Sequence, residues 1–238
     1  MVGVGWRQDV RQLLAICAAL VLAACTTTSA RIATTEAIGS PPPNARVLLV
    51  QPDVQLSVLT AAGLQEPRAD WSRQGREDLA ADLKTAMGAK THPFATLDPQ
   101  ASLEGRAGQL LRLHDAVGAS IAAFNYGYLK LPTKRGAFDW TLGEGARALG
   151  EEKNADYALF VTARGAYASA GRKAVMVGAA LLGVGVQLGS QTIYASLVDL
   201  RTGRVVWFNV AIAGPSADIR TAEGSKSLVG SLLKGVPL

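Results

Sequence analysis

The chain's only two cysteines, Cys17 and Cys25, both fall within its first 25 residues. This bounds the fold more tightly than any other feature. Everything downstream must be held by packing and hydrogen bonds, with no disulfide and no cysteine nucleophile. The same N-terminal stretch differs from the rest in composition. Arg7 and Arg11, diluted by Asp9, precede an unbroken apolar run from Leu13 to Ala24. A run of about a dozen residues has the length of an export-signal core and falls short of the roughly 20 that a spanning helix needs. Residues 1–24 therefore read as a cleavable signal. Residues 46–238 read as one domain, long enough to bury a substantial core.

The apolar run ends in Leu22-Ala23-Ala24-Cys25, which resembles the lipobox of bacterial lipoproteins. The resemblance implies that small residues admit the signal peptidase before Cys25. It also implies diacylglycerol on the Cys25 thiol and further acylation of the freed amine. Thr26 follows the cysteine where an Asp would redirect sorting, so the resemblance implies the outer membrane, facing the periplasm. Two or more acyl chains anchor stably where one does not. The segment after Cys25 is polar at Thr26-Thr-Thr-Ser29 and carries Ser40-Pro-Pro-Pro43. Residues 25–45 thus read as the lipidated cysteine and a flexible tether, spanning roughly 25 Å root-mean-square.

With the signal removed, 22 basic residues face 18 acidic ones. The charges are dispersed, and Lys134-Arg135 is the one local cluster outside the pair Arg172-Lys173. Such a balance suits a contact with anionic head groups or cell-wall polymer and gives no reason to expect nucleic acid.

Periodicity organises the rest. Arg46–Val50 reads as a buried strand stopped by Pro52, and Val54, Leu56 and Val58 alternate in a second short strand. Asp70 is placed to cap a helix to about Met87, with Trp71, Leu79, Leu83 and Met87 on one face and Gly88 ending it. His92–Leu97 reads as a short strand. Asp98-Pro99 reads as a helix start, with Leu103, Leu110, Leu113, Val117 and Ile121 forming a stripe to about Phe124. Residues 125–137 read as a loop, Thr141 as the cap of a short helix to Leu149, and Tyr157–Thr162 as a strand. Ile193–Leu200 and Val205–Ile212 flank Arg201-Thr202-Gly203-Arg204, a hairpin with Gly supplying the positive-φ residue. Thr221 caps a final helix carrying Leu228, Val229, Leu232 and Leu233. The fold expected is a single layered α/β domain with a mixed sheet, helices and a late antiparallel hairpin.

Two stretches, Ala155-Asp-Tyr-Ala-Leu-Phe-Val161 and Ala195-Ser-Leu-Val-Asp-Leu-Arg-Thr-Gly-Arg-Val-Val-Trp207, resemble patterns of the curli-secretion lipoprotein and related periplasmic families. There an Ala-Asp-hydrophobic strand is followed by an Asp-x-x-Thr-Gly hairpin ending in Trp. The resemblance implies a role in secretion or assembly of envelope machinery, through envelope proteins or self-association, and implies no chemistry.

Residues 174–188 carry no charge over the whole segment. As a helix the segment would be about 22 Å long, short of a roughly 30 Å hydrocarbon core. A buried helix or core strand is the first expectation. A surface docking on lipid or on a partner is the second, and a pore-forming insertion like that of the curli-secretion lipoprotein the third. Arg172 and Lys173 just before the segment are placed to meet phosphate head groups. A second candidate contact surface is the loop of Lys134, Arg135 and Trp140, with Asp139, Tyr126 and Tyr128 around it.

Catalytic motifs are weak. No Gly-Lys-Ser/Thr phosphate loop or dinucleotide fingerprint is present. Ser231-Leu-Leu-Lys234 matches Ser-x-x-Lys without its partner motifs and lies on the final amphipathic helix. His92 and His114 lack ligand-pair spacing, and both are expected at the surface or half-buried. Adjacent His114 and Asp115 would not face each other on a helix. Glu151-Glu152 reads as a solvated helix end. Trp71, Trp140 and Trp207 read as core aromatics before they read as a groove. The expectation is a non-enzymatic protein without a metal or cofactor. It acts in binding or scaffolding for envelope assembly or secretion, with an oligomeric secretion channel or an unrecognised envelope hydrolase as alternatives.

Overall fold

The structure, a computed structural model, describes residues 27–32, 41–102, 104–134, 137–185, 189–212 and 217–238. The expected signal, Cys25 and Arg135 lie outside the described residues. Among the described residues, eight strands form one mixed sheet with helices on both faces, so the expected α/β class is the one observed.

The strands are β1 (Thr27–Ile32), β2 (Val47–Val50), β3 (Asp53–Leu59), β4 (Gln65–Pro67), β5 (Phe94–Leu97), β6 (Tyr157–Ala168), β7 (Gly189–Asp199) and β8 (Val205–Ile212). The helices are α1 (Ala69–Gly88), α2 (Gly105–Ile121), α3 (Ala146–Lys153), α4 (Ala170–Leu181) and α5 (Ala222–Leu232). The main path across the sheet is β1-β8-β7-β6-β2-β5, with β3 paired to β6 and β4 to β3. β6, β7 and β8 are antiparallel neighbours, whereas β2 and β3 both run parallel to β6.

β2 is buried at all four positions, as a strand covered on both faces must be. Between Val47↔Tyr157 and Asp53↔Thr162 the β2–β3 chain holds one residue more than β6. The extra residue falls at Gln51-Pro52, where proline has no N–H for the ladder. It reverses the alternation, so Val47 and Leu49 share one core with Val54 and Leu56.

That core is closed by Leu79, Leu83 and Met87 of α1 and by Leu228, Val229 and Leu232 of α5. The opposite face, with Leu48, Val50, Phe160, Val198 and Phe208, is covered by α2, α3 and the loop residues Phe138 and Leu142. Trp207 and Phe208 are among the largest fully buried side chains, one in each core.

The hairpin turn works as expected. Gly203 has φ 72°, and its N–H donates to the Asp199 carbonyl at 2.8 Å. The Asp199 carboxylate accepts the Arg201 N–H at 2.9 Å, which gives the Asp-x-x-Thr-Gly pattern a local structural cause. Thr221 caps α5 by accepting the Gly224 N–H at 3.1 Å.

Several expectations are corrected. Asp70 does not cap α1: the cap position is Arg68, and Asp70 sits in the first turn holding the Arg68 guanidinium at 2.6 Å. Thr141 does not cap α3, which starts at Ala146. Its hydroxyl instead donates to the Gly203 carbonyl at 3.1 Å and accepts from Gly143 N–H, tying the loop to the hairpin turn. The buried face of α2 is Leu110, His114, Gly118 and Ile121, and Leu113 of the expected stripe is exposed. β6 runs six residues beyond Thr162 to Ala168. Part of the expected tether, Thr27–Ile32, is an edge strand, because β8 would otherwise leave its outer ladder unpaired. Over its described part, residues 174–185, the uncharged segment is neither a buried helix nor a core strand: α4 contains no buried residue, and 182–185 are exposed.

Candidate functional site

β6 and β7 form a long antiparallel pair, from Tyr157↔Asp199 at one end to Tyr167↔Gly189 at the other. α4 grows from the second end, here called the tip. Ser169 starts it, its Oγ accepting the Arg172 N–H at 3.1 Å. Gly183, at φ 75°, follows its C-terminal turn. Alanines and aliphatic side chains keep the segment helical, while none of its residues is buried. Leu181 and Leu182 are 84% and 82% exposed, and Val175, Val177 and Val184 are exposed with them. Val177 and Leu181 stand one turn apart along one side of the helix, with Lys173 one turn before Val177, and Val184 lies beyond the Gly183 turn.

The β3–β4 turn reaches the same end. β3 runs parallel to β6 with Leu59 opposite Ala168, so the turn carrying exposed Leu64 lies beside the base of α4. Arg172 lies against this turn: a Cβ on Gly63 would sit 3.3 Å from its Nη1. Ile212, 60% exposed, ends β8 level with Thr192 of β7. Leu64, Ile212 and the α4 side chains therefore place most of the large exposed apolar surface at one end of the sheet.

Next to the tip is an open groove of about 680 Å³, lined by Gln55, Ser57, Gln65, Arg164, Ser190 and Thr192 among others. Arg164 binds the Asp53 carboxylate and lies 3.6 Å from that of Asp115. Burial, then repulsion from Asp53, raises the Asp115 pKa against the pull of Arg164. The groove mixes these polar side chains with Leu56, Pro67 and Ala166, and neither histidine lines it.

His114 is buried, contrary to the surface position expected for it. Its Nε2 lies 2.6 Å from Ser196 Oγ, and its ring stacks on Phe160 with centroids 3.8 Å apart. A serine and an imidazole at this distance have the geometry of nucleophile and base. Here both are enclosed in the core between α2 and the sheet, which leaves no room for a substrate. Burial also lowers the His114 pKa to about 3, so the ring is a weak base at neutral pH. The signal for burial was present in the sequence: His114 is four residues from both Leu110 and Gly118. His92 is also buried. Among the described residues, no group of three His, Cys, Asp or Glu side chains is placed to hold a metal.

The second candidate surface is engaged internally. Lys134 pairs with Asp139 at 2.8 Å and stands 4.6 Å from the Trp140 ring centroid. Trp140 Nε1–H donates to Asn125 Oδ1 at 2.8 Å, and the Trp140 carbonyl accepts the Val205 N–H. This loop therefore ties the turn after α2 to the start of β8. Trp71 is half-buried, with the Arg68 and Arg220 guanidinium groups 4.3 and 4.8 Å from its ring centroid. Glu151 and Glu152 lie exposed near the end of α3, as expected. No described helix is long and apolar enough to cross a membrane.

No family model and no curated protein matches the chain. Similar solved structures include the PelC dodecamer from Paraburkholderia phytofirmans, at 13% identity over 90% of this chain and 96% of that one, with a TM-score of 0.39. The LpoB C-terminal domain from Salmonella enterica is similar at 13% identity over 75% of this chain and 87% of that one, TM-score 0.29. Lipoprotein GNA1162 from Neisseria meningitidis is similar at 14% identity over 81% and 93%, TM-score 0.30.

Proposed function

We propose that this protein is a lipid-anchored component of the bacterial envelope, held at the periplasmic face of the outer membrane through Cys25. In this reading it acts by binding or scaffolding other envelope components in assembly or secretion, and it is not an enzyme. The observation that carries a binding role is the tip: a helix with no buried residue and no charge after Lys173, joined by exposed Leu64 and Ile212. Contiguous apolar surface of this kind on a folded domain marks a contact site. The lipobox-like Leu22-Ala-Ala-Cys25 supports the anchor, and the enclosed Ser196–His114 pair supports a non-enzymatic role.

The test is photo-crosslinking in intact cells from a probe at Val177, with pull-down of the lipidated protein. A defined set of envelope components, membrane phospholipid included, crosslinked from Val177 and not from a probe at Thr202 at the opposite end of the sheet is the expected result. Absence of such partners together with activity on cell-wall fragments would replace the binding reading with the hydrolase.

A further inference from the structure

We infer that the α4 tip lies on the phospholipid bilayer that holds the lipid anchor, giving the domain a second, non-covalent membrane contact and a fixed orientation. The inference rests on the anchored reading above and names the surface that the exposed face of α4 meets.

Strand register carries the argument. β1 is antiparallel to β8 with Thr27 opposite Ile212; Ile212 is opposite Thr192; Thr192 is opposite Arg164. Thr27 is thus only three rungs from Gly189, where the β6–β7 pair ends, or about 10 Å along the strand direction. β1 also runs away from the tip, so the chain preceding it leaves the sheet at the tip end. Cys25 lies outside the described residues, but two peptide units separate it from Thr27, a reach of about 7 Å. Had β1 been parallel to β8, the anchor would have left from the opposite end. The acyl chains and α4 therefore share one end of the domain.

Charge and length agree with a bilayer surface. Between Arg164 and Asp199 the chain carries no acidic residue, while Arg172 and Lys173 stand in the first turn of α4. Basic residues beside an apolar surface suit anionic head groups. α4 is 12 residues long, or about 18 Å, too short to span and long enough to lie in the interface.

The experiment uses the full chain, expressed with its signal and purified after processing. Leu181→Cys then supplies the one free thiol if Cys25 is acylated, and Thr202→Cys supplies a control at the far end. Each is labelled with an environment-sensitive fluorophore and reconstituted into phosphatidylethanolamine/phosphatidylglycerol vesicles carrying a spin-labelled lipid quencher. The expected result is a blue shift at position 181 and quenching several-fold stronger than at 202. Equal, weak quenching at both positions in pelleted protein would overturn the inference. So would shielding of position 181 that depends on protein density and not on the lipid quencher, which would assign the face to a second copy. Acylation is measured by mass on the same sample. If Cys25 carries no lipid, the anchor reading fails separately. The tip is then judged with Cys25→Ser added to each thiol variant, where quenching at 181 by the same vesicles supports it and none overturns it.

Discussion

His114 makes the stability of the domain depend on pH in a way that the structure fixes in sign and size. The folded state holds the ring neutral, with a pKa of about 3, because burial between α2 and the sheet, against Phe160, strips it of water. In the unfolded chain the ring titrates near 6.5, its ordinary value. The unfolded state therefore binds the extra proton first as pH falls, and stability drops. His114 imposes no penalty well above pH 6.5, and the loss grows as pH descends from 6.5 toward 3. Between pH 7.5 and 5.5 the linkage comes to about 1.4 kcal/mol. For a domain of this size that is a fall in Tm of about 3–6 °C. The perturbation is His114→Gln, which keeps a polar amide near Ser196 and removes the titration. The assay is thermal or urea unfolding of both proteins across that interval. Wild type should lose about 1.4 kcal/mol more than the variant, even if the variant is less stable at every pH. Parallel pH profiles for the two proteins would refute the burial of a neutral imidazole.

Gly118 lets α2 approach β7, and an added Cβ would fall 2.7 Å from Tyr194 Cε2. Gly118→Ala should cost about 1–3 kcal/mol by overpacking, read as a lowered urea midpoint with an unchanged m-value. Leu181→Asp with Leu182→Asp changes two side chains that are more than four-fifths exposed. The double variant should unfold within about 0.5 kcal/mol of wild type, while losing the quenching of a probe at Val177→Cys by vesicle lipid.

Much of the sheet was legible because its signals are local. Val47–Val50 is a short apolar run bounded by Pro52; Val205–Ile212 is a nearly continuous apolar, β-rich run after a Thr-Gly turn. α1 showed its face because Leu79, Leu83 and Met87 recur every four residues. The errors have physical causes too. β1 carries no clear alternation, and it is a strand because β8 offers an unpaired edge, a fact of tertiary structure. The α2 face was read one residue off because Leu113 and Val117 outweighed His114 and Gly118 in hydrophobicity. A glycine against Tyr194 and a histidine bonded to Ser196 are buried for reasons that hydrophobicity does not express.

The tip was half legible. The uncharged run and the Arg172-Lys173 pair stood out, but apolar composition alone does not separate a buried helix from an exposed one. The tertiary placement decides it: β6 and β7 carry α4 beyond the sheet, past the layers formed by α1, α5 and α2. The Lys134–Trp140 loop was singled out for its charge and aromatic content. Those same groups bond to Asp139 and Asn125, which are close in sequence or on the adjoining turn of chain.

The proposed anchor rests on Cys25, and the proposed orientation of the tip starts from it, so lipid attachment is the most direct test. Cells expressing the wild-type chain or Cys25→Ser are fed an alkyne fatty acid, and the protein is isolated and fractionated. Labelled wild type in the outer-membrane fraction, and an unlabelled variant that is released or stalled as precursor, are the predicted results. Equal labelling of the two chains, or an unlabelled wild type, would contradict the account.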